Sequence, residues 1–217
     1  GHPLLQENTS DLSQQRFSTT FCGTESVLAD HRIHGRPVLP GVAHLEMAQA
    51  AFVQAAGSSP PNACLQIKNV VWARPVSVAD EPLRVHLALI PQDHAEVAYE
   101  LYSQPSDVAR GADQTVIHSQ GRLCWQDIPR PHIDLAGLRA QCVERTLSAA
   151  QCYDHFRVLG IDYGPTHRGL DTIYLGTDAA SRPQILAQLK LPSTADASDG
   201  DYALHPSLLD AALQATI

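Results

Sequence analysis

The chain has 217 residues, of which 44% are hydrophobic and 18% are charged, a composition that excludes general disorder and suits one large core or two small fused ones. The formal net charge of −8, with only 15 Lys and Arg residues scattered along the chain, argues against a nucleic-acid-binding surface. No apolar run of about 18 residues is present, and the start GHPLLQENTS lacks a basic or apolar segment, so we expect neither membrane insertion nor secretion.

The first half is predicted to pack one helix against antiparallel strands. Residues 16–21 (RFSTTF) alternate like a strand, and apolar residues then recur at helical spacing from Gly41 to Ala56, which predicts a mostly buried helix. Four β-rich stretches follow, separated by Pro, Asp and Gly turns: 64–78, 83–90, 96–103 and 115–125. We interpret residues 1–126 as one structural unit.

A second unit of the same pattern is predicted after a proline-containing linker. We interpret residues 127–146 as the linker, because two prolines stand close together in DIPRPHIDL. Residues 147–217 then repeat the order of elements: a helix at 147–160, strands at 169–176 and 185–192, and a helix that opens at 205. The two units share this order without visible sequence identity.

The cysteines do not indicate a disulfide framework or a zinc site. There are five of them, an odd number, and no Cys-x-x-Cys pair is present. We expect reduced, mostly buried thiols in a cytoplasmic protein. His31 and His34 have no third ligand at a recognisable spacing, so no metal site is expected.

The stretch DHRIHGRPVLPGVAHLEMA, residues 30–48, sets a histidine ahead of a Pro-Gly helix start. Pro40 suits that start, and Gly41 lets a ligand approach the backbone N–H groups at the positive end of the helix. Such a site suits a carbonyl oxygen that becomes negative, as in a thioester enolate. Gly35 lets the chain fold back, so His31 could reach the same place as a base. The alternative is a loop histidine before an ordinary helix.

Two later stretches also carry candidate chemistry. In LGIDYGPTHRGL, residues 159–170, the turn Tyr163-Gly164-Pro165 could direct the tyrosine hydroxyl into a site, although a core tyrosine beside a turn is the alternative. In HPSLLDAALQAT, residues 205–216, Asp210 and Gln214 share one helix face, so the amide can orient the carboxyl group. Apolar neighbours would bury this carboxyl group and favour its acid form, as a general acid requires, whereas the alternative is an exposed polar pair.

Together and in this order, the three stretches resemble the dehydratase domains of modular polyketide synthases. Three motifs of that family are matched: His31-x3-Gly35-x4-Pro40, Tyr163-Gly164-Pro165 with Gly160 three residues before the tyrosine, and Asp210-x3-Gln214. The opening HPLL, residues 2–5, is similar to the usual start of such domains. The resemblance therefore covers the whole chain.

The resemblance implies an α+β double hot-dog fold, in which each half is a long helix wrapped by an antiparallel sheet and the site lies between the halves. It implies a hydro-lyase in which His31 removes the α-proton of a β-hydroxyacyl chain and Asp210 protonates the departing hydroxyl group. Tyr163 and Gln214 would position the carboxyl or hydroxyl group, and backbone N–H groups near Gly41 and Val42 would stabilise the thioester oxygen. Four further motif residues would support the site by fixing the backbone conformation: Gly35, Pro40, Gly164 and Pro165.

The family also suggests how the substrate is delivered. The substrate would arrive on the phosphopantetheine arm of an acyl carrier protein, without a metal or a dissociable cofactor, and the product would be an α,β-unsaturated thioester. Neighbouring synthase domains would be partners, and homodimer formation stays open. Elimination needs a base at the α-carbon and an acid at the β-oxygen in a dry channel, which agrees with one histidine and one buried aspartate from opposite halves.

Two departures from the family pattern affect these expectations. His167 stands where the second motif usually ends in Phe, which would make one pocket wall polar. The chain stops at Ile217, three residues after Gln214, so we expect the second half to be incomplete as given.

Other functions of the same fold remain as alternatives. A double-bond isomerase or a pyran-forming cyclase can keep the histidine, but the isomerase type typically loses the aspartate, so Asp210 and Gln214 favour dehydration. A non-catalytic acyl-binding structural module is the contrasting hypothesis, which His167 and the chain end favour.

Overall fold

A computed structural model describes residues 2–57, 60–93, 95–104, 115–129, 131–194 and 202–216. The two end residues of the predicted units, Gly1 and Ile217, lie outside the described residues, as does Arg130 in the predicted linker. Within the described ranges, no helix is both long enough and apolar enough to cross a membrane.

The first part of the chain packs a long helix against a six-stranded antiparallel sheet. Its elements, in chain order, are β1 (Glu7–Asn8), β2 (Gln15–Phe21), α1 (Ser26–Ala29), β3 (His31–Ile33), β4 (Arg36–Pro37), α2 (Gly41–Ala56), β5 (Cys64–Trp72), β6 (Leu83–Pro91), β7 (Val97–Ser103) and β8 (Val116–Gln126). The large sheet has the order β1-β2-β6-β7-β8-β5. The predicted arrangement of one helix on antiparallel strands is therefore confirmed.

Helix α2 has the predicted bounds because strong local signals mark both of its ends. Pro40 precedes it in an extended conformation, and Gly57 ends it with a φ of 76°, a left-handed value that favours glycine. Its buried face includes Ala43, Ala48 and Ala51, and such small side chains let the sheet approach closely. The expectation of a mostly buried helix is confirmed.

The predicted strand over residues 64–78 is too long, since β5 ends at Trp72. The amides of Ala73 and Arg74 both donate to the carbonyl of His118, and Pro75 then has no N–H group for the ladder. Only an isolated bridge between Ser77 and Val38 follows among the described residues. The chain leaves the sheet here and passes the start of α2.

The second part of the chain is a smaller unit. Its elements are α3 (Leu135–Gln141), β9 (Arg145–Ser148), α4 (Ala149–Val158), β10 (Ile161–Tyr163), a 3₁₀ turn (Pro165–His167), β11 (Leu170–Thr177), β12 (Pro183–Leu189) and α5 (Pro206–Gln214). A three-stranded sheet has the order β12-β11-β9, and α4 and α5 both contact it. The predicted helices and strands of this half are present. Helix α3 lies inside the predicted linker and was not expected from the two prolines.

A third sheet joins the two parts. Its order is β10-β3-β4, so a strand of the second part pairs with a strand of the first. The antiparallel register places Tyr163 opposite His31 and Ile161 opposite Ile33. Because directly opposed residues on paired strands lie close together, this register brings the first and second motifs to one place.

A buried carboxylate fixes the approach to α5, the helix that carries the third motif. Glu46 on α2 is fully buried and accepts hydrogen bonds from the backbone N–H groups of Ala203 and Leu204, at 3.0 and 2.7 Å. His2, from the opening HPLL, contacts the same carboxylate at 2.9 Å. Burial opposes ionisation of Glu46, but these hydrogen bonds outweigh it and hold its pKa below the ordinary value. The first half thereby holds the start of α5.

Candidate active site

His31 is oriented by a backbone carbonyl. The side chain is buried, and its Nδ1–H group donates to the carbonyl of Val38 at 2.7 Å. This bond leaves the lone pair on Nε2, the atom that lies 4.0 Å from Oδ1 of Asp210. The side chains are 8% and 9% exposed, so the two groups meet in a place largely closed to solvent.

The surroundings of His31 favour its neutral form. Burial is the main cause that lowers its pKa from the ordinary value of 6.5. Asp210 opposes this shift, whereas the nearby His167 reinforces it. A neutral imidazole with a free Nε2 lone pair can accept a proton near pH 7, as a general base must.

Asp210 is held by a residue one helical turn away. Its Oδ2 atom accepts a hydrogen bond of 2.8 Å from the side-chain amide of Gln214, as the spacing on one helix face predicts. The same amide donates to the backbone carbonyl of His167 at 3.0 Å. With both protons of the amide engaged, Gln214 has one orientation and fixes that of the carboxyl group.

Two tyrosines surround this pair. The Tyr163 ring meets the His31 ring edge-on at 5.5 Å, and burial raises the pKa of Tyr163 above its ordinary value of 10.0. Tyr153, on α4, donates its hydroxyl proton to Oε1 of Gln214 at 3.1 Å and accepts the N–H of Leu170 at 3.0 Å. Burial raises the pKa of Tyr153 to about 12, so both hydroxyl groups stay protonated.

Sequence reasoning missed Tyr153. Its only signal was an aromatic residue at a core-facing position of the predicted helix 147–160, and this pattern does not separate it from an ordinary core residue.

The turn after Tyr163 is held by the residue before His31. The Gly164 N–H donates to the carbonyl of Asp30 at 2.7 Å, and a Cβ at Gly164 would collide with the Asp30 carboxylate. That carboxylate accepts hydrogen bonds from the backbone and the hydroxyl of Thr166, at 2.9 and 2.8 Å. Pro165 starts the 3₁₀ turn between them. The motif needs glycine here because of this close approach, a contact between halves that the sequence did not indicate.

A cavity of about 290 Å³ lies beside His31 and the start of α2. Its lining includes His31, Gly41, His44 and Trp72. The Trp72 indole N–H donates to the carbonyl of Gly41 at 2.9 Å, and a Cβ at Gly41 would be crowded against the indole ring. Gly41 and His31 thus share one cavity. Val42 is buried and is not among the residues that line this cavity in the described chain.

The other residues of the first motif shape the backbone. Gly35, in the turn between β3 and β4, has a φ of 78°, a value that glycine adopts readily. Pro40 directly precedes the first turn of α2, and its carbonyl accepts the N–H of Ala43. These two positions let the chain fold back so that His31 lies near the helix start.

Of the three grouped side chains His31, Asp210 and His167, His31 lines the 290 Å³ cavity, and neither Asp210 nor His167 is among its lining residues in the described chain. The side chain of His167 is fully buried, its Nδ1 atom is 3.5 Å from Oδ2 of Asp210, and its ring centre is 5.6 Å from that of His31. Within the described part of the chain, neither ring nitrogen has a hydrogen-bond partner. Asp210 therefore has an imidazole beside each carboxyl oxygen.

Comparison with known families matches both parts of the chain. A family model described as "Polyketide synthase dehydratase domain" matches residues 2–104. A second, described as "Polyketide synthase dehydratase N-terminal domain", matches residues 130–217. The first match contains the histidine motif and the second contains the tyrosine and aspartate motifs.

Individual relatives give the same result. Polyketide synthase PksN of Bacillus subtilis is 43% identical over 217 residues, a match that covers 99% of this chain but only 4% of PksN. A crystal structure of a trans-AT polyketide synthase dehydratase domain from Brevibacillus brevis is 45% identical with a TM-score of 0.90, over 99% of this chain and 73% of that one.

A more distant structure agrees. The dehydratase domain of RzxB from Pseudomonas fluorescens is 33% identical with a TM-score of 0.82, over 99% of this chain and 73% of that one. The likeness to these dehydratase structures confirms the fold expected from the three motifs.

Proposed function

The chain belongs to the dehydratase domains of polyketide synthases, and we propose that it eliminates water from a β-hydroxyacyl thioester with His31 as the base and Asp210 as the acid. The observation that carries this proposal is the distance of 4.0 Å between Nε2 of His31 and Oδ1 of Asp210, both buried and contributed by opposite halves. A base and an acid at this separation can act on adjacent carbons of one acyl chain.

The reaction balances with these two groups. The Nε2 atom of His31 takes the α-proton, and the electrons of that C–H bond form the new double bond. The C–O bond at the β-carbon breaks, and Asp210 gives its carboxyl proton to the departing oxygen, so that water leaves. Burial keeps bulk water from exchanging the protons of the two groups during this step.

The start of α2 supports the developing charge. Gly41 lines the same cavity as His31, and the first N–H groups of a helix have no partner within the helix and carry partial positive charge. We assign the amide of Gly41 to the thioester oxygen, with that of Val42 beside it. Such donors stabilise an enolate-like oxygen more than the ground-state carbonyl.

Gln214 and the two tyrosines act as positioning residues in this proposal. Gln214 fixes the carboxyl group of Asp210, and Tyr153 fixes Gln214. Tyr163 packs its ring against the base. Gly35, Pro40, Gly164 and Pro165 hold the backbone that places these groups.

The setting of the reaction is also proposed from the relatives. This chain spans 4% of PksN and 5% of the related PksM of Bacillus subtilis, both of which are far larger proteins. We therefore expect neighbouring synthase domains, and an acyl carrier protein that delivers the substrate on phosphopantetheine, without a metal or dissociable cofactor. All five cysteines are free, which suits a reducing cytoplasm.

Mass spectrometry of a synthetic β-hydroxyacyl pantetheine thioester tests this function directly. The parent protein should convert it to a product lighter by one water, and the variants His31→Ala and Asp210→Asn should not. His155→Ala, at an exposed position of α4, is the matched control and should behave like the parent.

Three other outcomes would reject the proposal. A shifted alkene without loss of water would favour the isomerase, and a ring product would favour the cyclase. Binding of carrier protein without any turnover by the parent would favour the structural module.

A further inference from the structure

His167 is unusual in this site because both of its ring nitrogens, rather than one as in His44, lack a hydrogen-bond partner among the described residues. Burial of a polar group without a hydrogen bond is costly, and most such groups in proteins have a partner. The side chain of His167 is fully buried, yet neither of its ring nitrogens has a partner in the described residues. If this position had only a structural role, an apolar aromatic side chain would fill it without burying unpaired polar atoms.

The carboxyl group of Asp210 lies close to His167. Nδ1 of His167 lies 3.5 Å from Oδ2, whereas His31 faces the other oxygen, Oδ1, at 4.0 Å. The 3.5 Å separation exceeds an ordinary hydrogen bond by about half an ångström. A small movement of either side chain would therefore close a bond through which a proton can pass.

His167 also lines a second, small cavity, which shares no lining residue with the 290 Å³ cavity beside His31. The volume of the small cavity is about 20 Å³, enough for one water molecule. Eight described residues line it, of which four are buried and four are partly exposed: Thr166, His167, Pro206 and Ser207, then Ser26, Val27, Tyr202 and His205. His167 thus contacts Asp210 and also lines a mostly polar cavity whose other lining residues include partly exposed ones.

We propose that His167 returns a proton to Asp210 after each turnover and draws it from this small cavity rather than from the substrate channel. This inference rests on the proposed dehydratase function, and it makes His167 a positioning residue that acts through Asp210. The sequence had suggested only a polar pocket wall at this place.

The protons balance over one cycle. Asp210 gives its carboxyl proton to the departing hydroxyl group and becomes a carboxylate. Protonated His167 then donates its Nδ1 proton to Oδ2, which restores the acid and leaves a neutral imidazole. That imidazole regains a proton from bulk solvent through water in the small cavity, and the proton that His31 took from the substrate returns to solvent, so no charge remains after the cycle.

The alternative route, directly from His31 to Asp210, must cross the space that the acyl chain occupies. Oδ1 faces His31, and the proposed reaction places the acyl chain between these two groups, so in this proposal the direct route is blocked until the product leaves. Oδ2 is on the other side of the carboxyl group and stays accessible to His167 throughout. The titratable groups that face His167 are Asp210 on α5, His31 on β3 and, across the cavity, Tyr202 and His205.

Comparison of single-turnover and steady-state rates tests this inference, because reloading of the acid affects only repeated cycles. We would measure both rates for His167→Phe, which restores the aromatic residue usual in the family motif, and for His167→Gln, which keeps a polar side chain without a titratable proton. In both variants the steady-state kcat should fall roughly ten- to hundredfold, while the single-turnover rate with enzyme in excess stays within about twofold of the parent. His155→Gln, an exposed histidine on α4, is the control and should change neither rate.

Each other outcome overturns the inference. Equal loss of both rates would mean that His167 merely supports the shape of the site, and unchanged rates would mean that protons do not pass through it. Thermal unfolding of each variant identifies misfolding. If His167→Phe does not fold, the two rates of His167→Gln test the inference. A parent that shows no loss of water would reject the dehydratase function together with this inference, whereas normal parent turnover with unaffected variants rejects only the role of His167.

Discussion

Two buried histidines lie in different regions of the molecule and differ in what surrounds them. His44 lies within the first half, where its Nδ1 atom contacts the hydroxyl of Ser119 at 3.1 Å and its Nε2 atom has no partner in the described residues. Burial, with a smaller contribution from His118, lowers its pKa to about 3. His31 lies between the halves, where Asp210 opposes the effect of burial on its pKa.

The two histidines differ because burial acts on the pKa of His44 without an opposing carboxyl group among the described residues, whereas Asp210 opposes burial at His31. A histidine that resists protonation as strongly as His44 accepts a proton too weakly to act as an efficient base near pH 7. At His31 the adjacent carboxyl group opposes the effect of burial on the pKa, and the hydrogen bond to Val38 fixes the tautomer. This combination at His31 lies at the junction of the halves, where the first half supplies the imidazole and the second supplies the carboxyl group.

The largest expected effect contrasts the two histidines in catalysis. His31→Gln should lower kcat by roughly a hundredfold or more, because it removes the proton acceptor. His44→Gln should lower kcat by less than about tenfold, since this side chain lines the cavity but takes no proton in the proposed reaction. Rates of water loss, normalised to the folded fraction, measure both. A variant at His44 that is as inactive as that at His31 would contradict the contrast.

The next effect is on stability in acid. Unfolded His44 has an ordinary pKa near 6.5 and the folded side chain has a pKa of about 3, so the unfolded chain binds the proton more readily. Its contribution to stability is complete above about pH 6.5 and declines as pH falls towards about 3, with a slope approaching 1.4 kcal/mol per pH unit at most. Urea unfolding at several pH values should show this slope in the parent.

His44→Gln provides the test of that assignment. It keeps a polar contact for Ser119 and removes the titration, so the free energy of unfolding should depend less on pH over this interval. The exposed His155→Gln serves as control and should leave the slope as it is in the parent. An identical slope in the His44 variant would place the acid sensitivity elsewhere.

A smaller effect is expected at the positioning residue Tyr153. Tyr153→Phe removes a hydrogen bond to Gln214 and leaves the buried amide of Leu170 without its partner. We expect a loss of about 1–3 kcal/mol in the free energy of unfolding and a fall in kcat of less than about tenfold, because Gln214 keeps its bond to Asp210. Chemical denaturation and steady-state rates measure the two quantities. Unchanged stability would mean that water replaces the hydroxyl.

What the sequence predicted well was local. The bounds of α2 follow from Pro40, Gly57 and an apolar period, all within one short segment. The three motifs and their resemblance to a family selected His31 and Asp210 as candidates, and the structure brings these two side chains together. Neither residue alone could be distinguished from an ordinary loop or surface residue.

What the sequence could not predict depends on distant segments. Strands β3 and β10 have three residues each, too few for a polarity period, and they form only because two remote segments pair. The hydrogen bonds that fix the approach to α5 likewise join Glu46 to backbone N–H groups more than a hundred residues away. The position of His167 beside Asp210 follows from the same packing, so its surroundings differ from the pocket wall that its place in the motif suggested.

The smallest expected effect is a shift in the pKa of His31, which separates the electrostatic influence of Asp210 from its proposed role as the acid. Asp210 raises the pKa of His31 against the effect of burial, so Asp210→Asn should move that pKa further below 6.5. His167→Phe should move it the other way, because His167 acts to lower it. Titration of the His31 ring signals by NMR measures both shifts without any need for turnover. If both variants shifted the pKa of His31 in the same direction, Asp210 and His167 would not act on it as opposing charges. The difference between His31 and His44 would then lie in the orientation of their rings and not in the charges beside them.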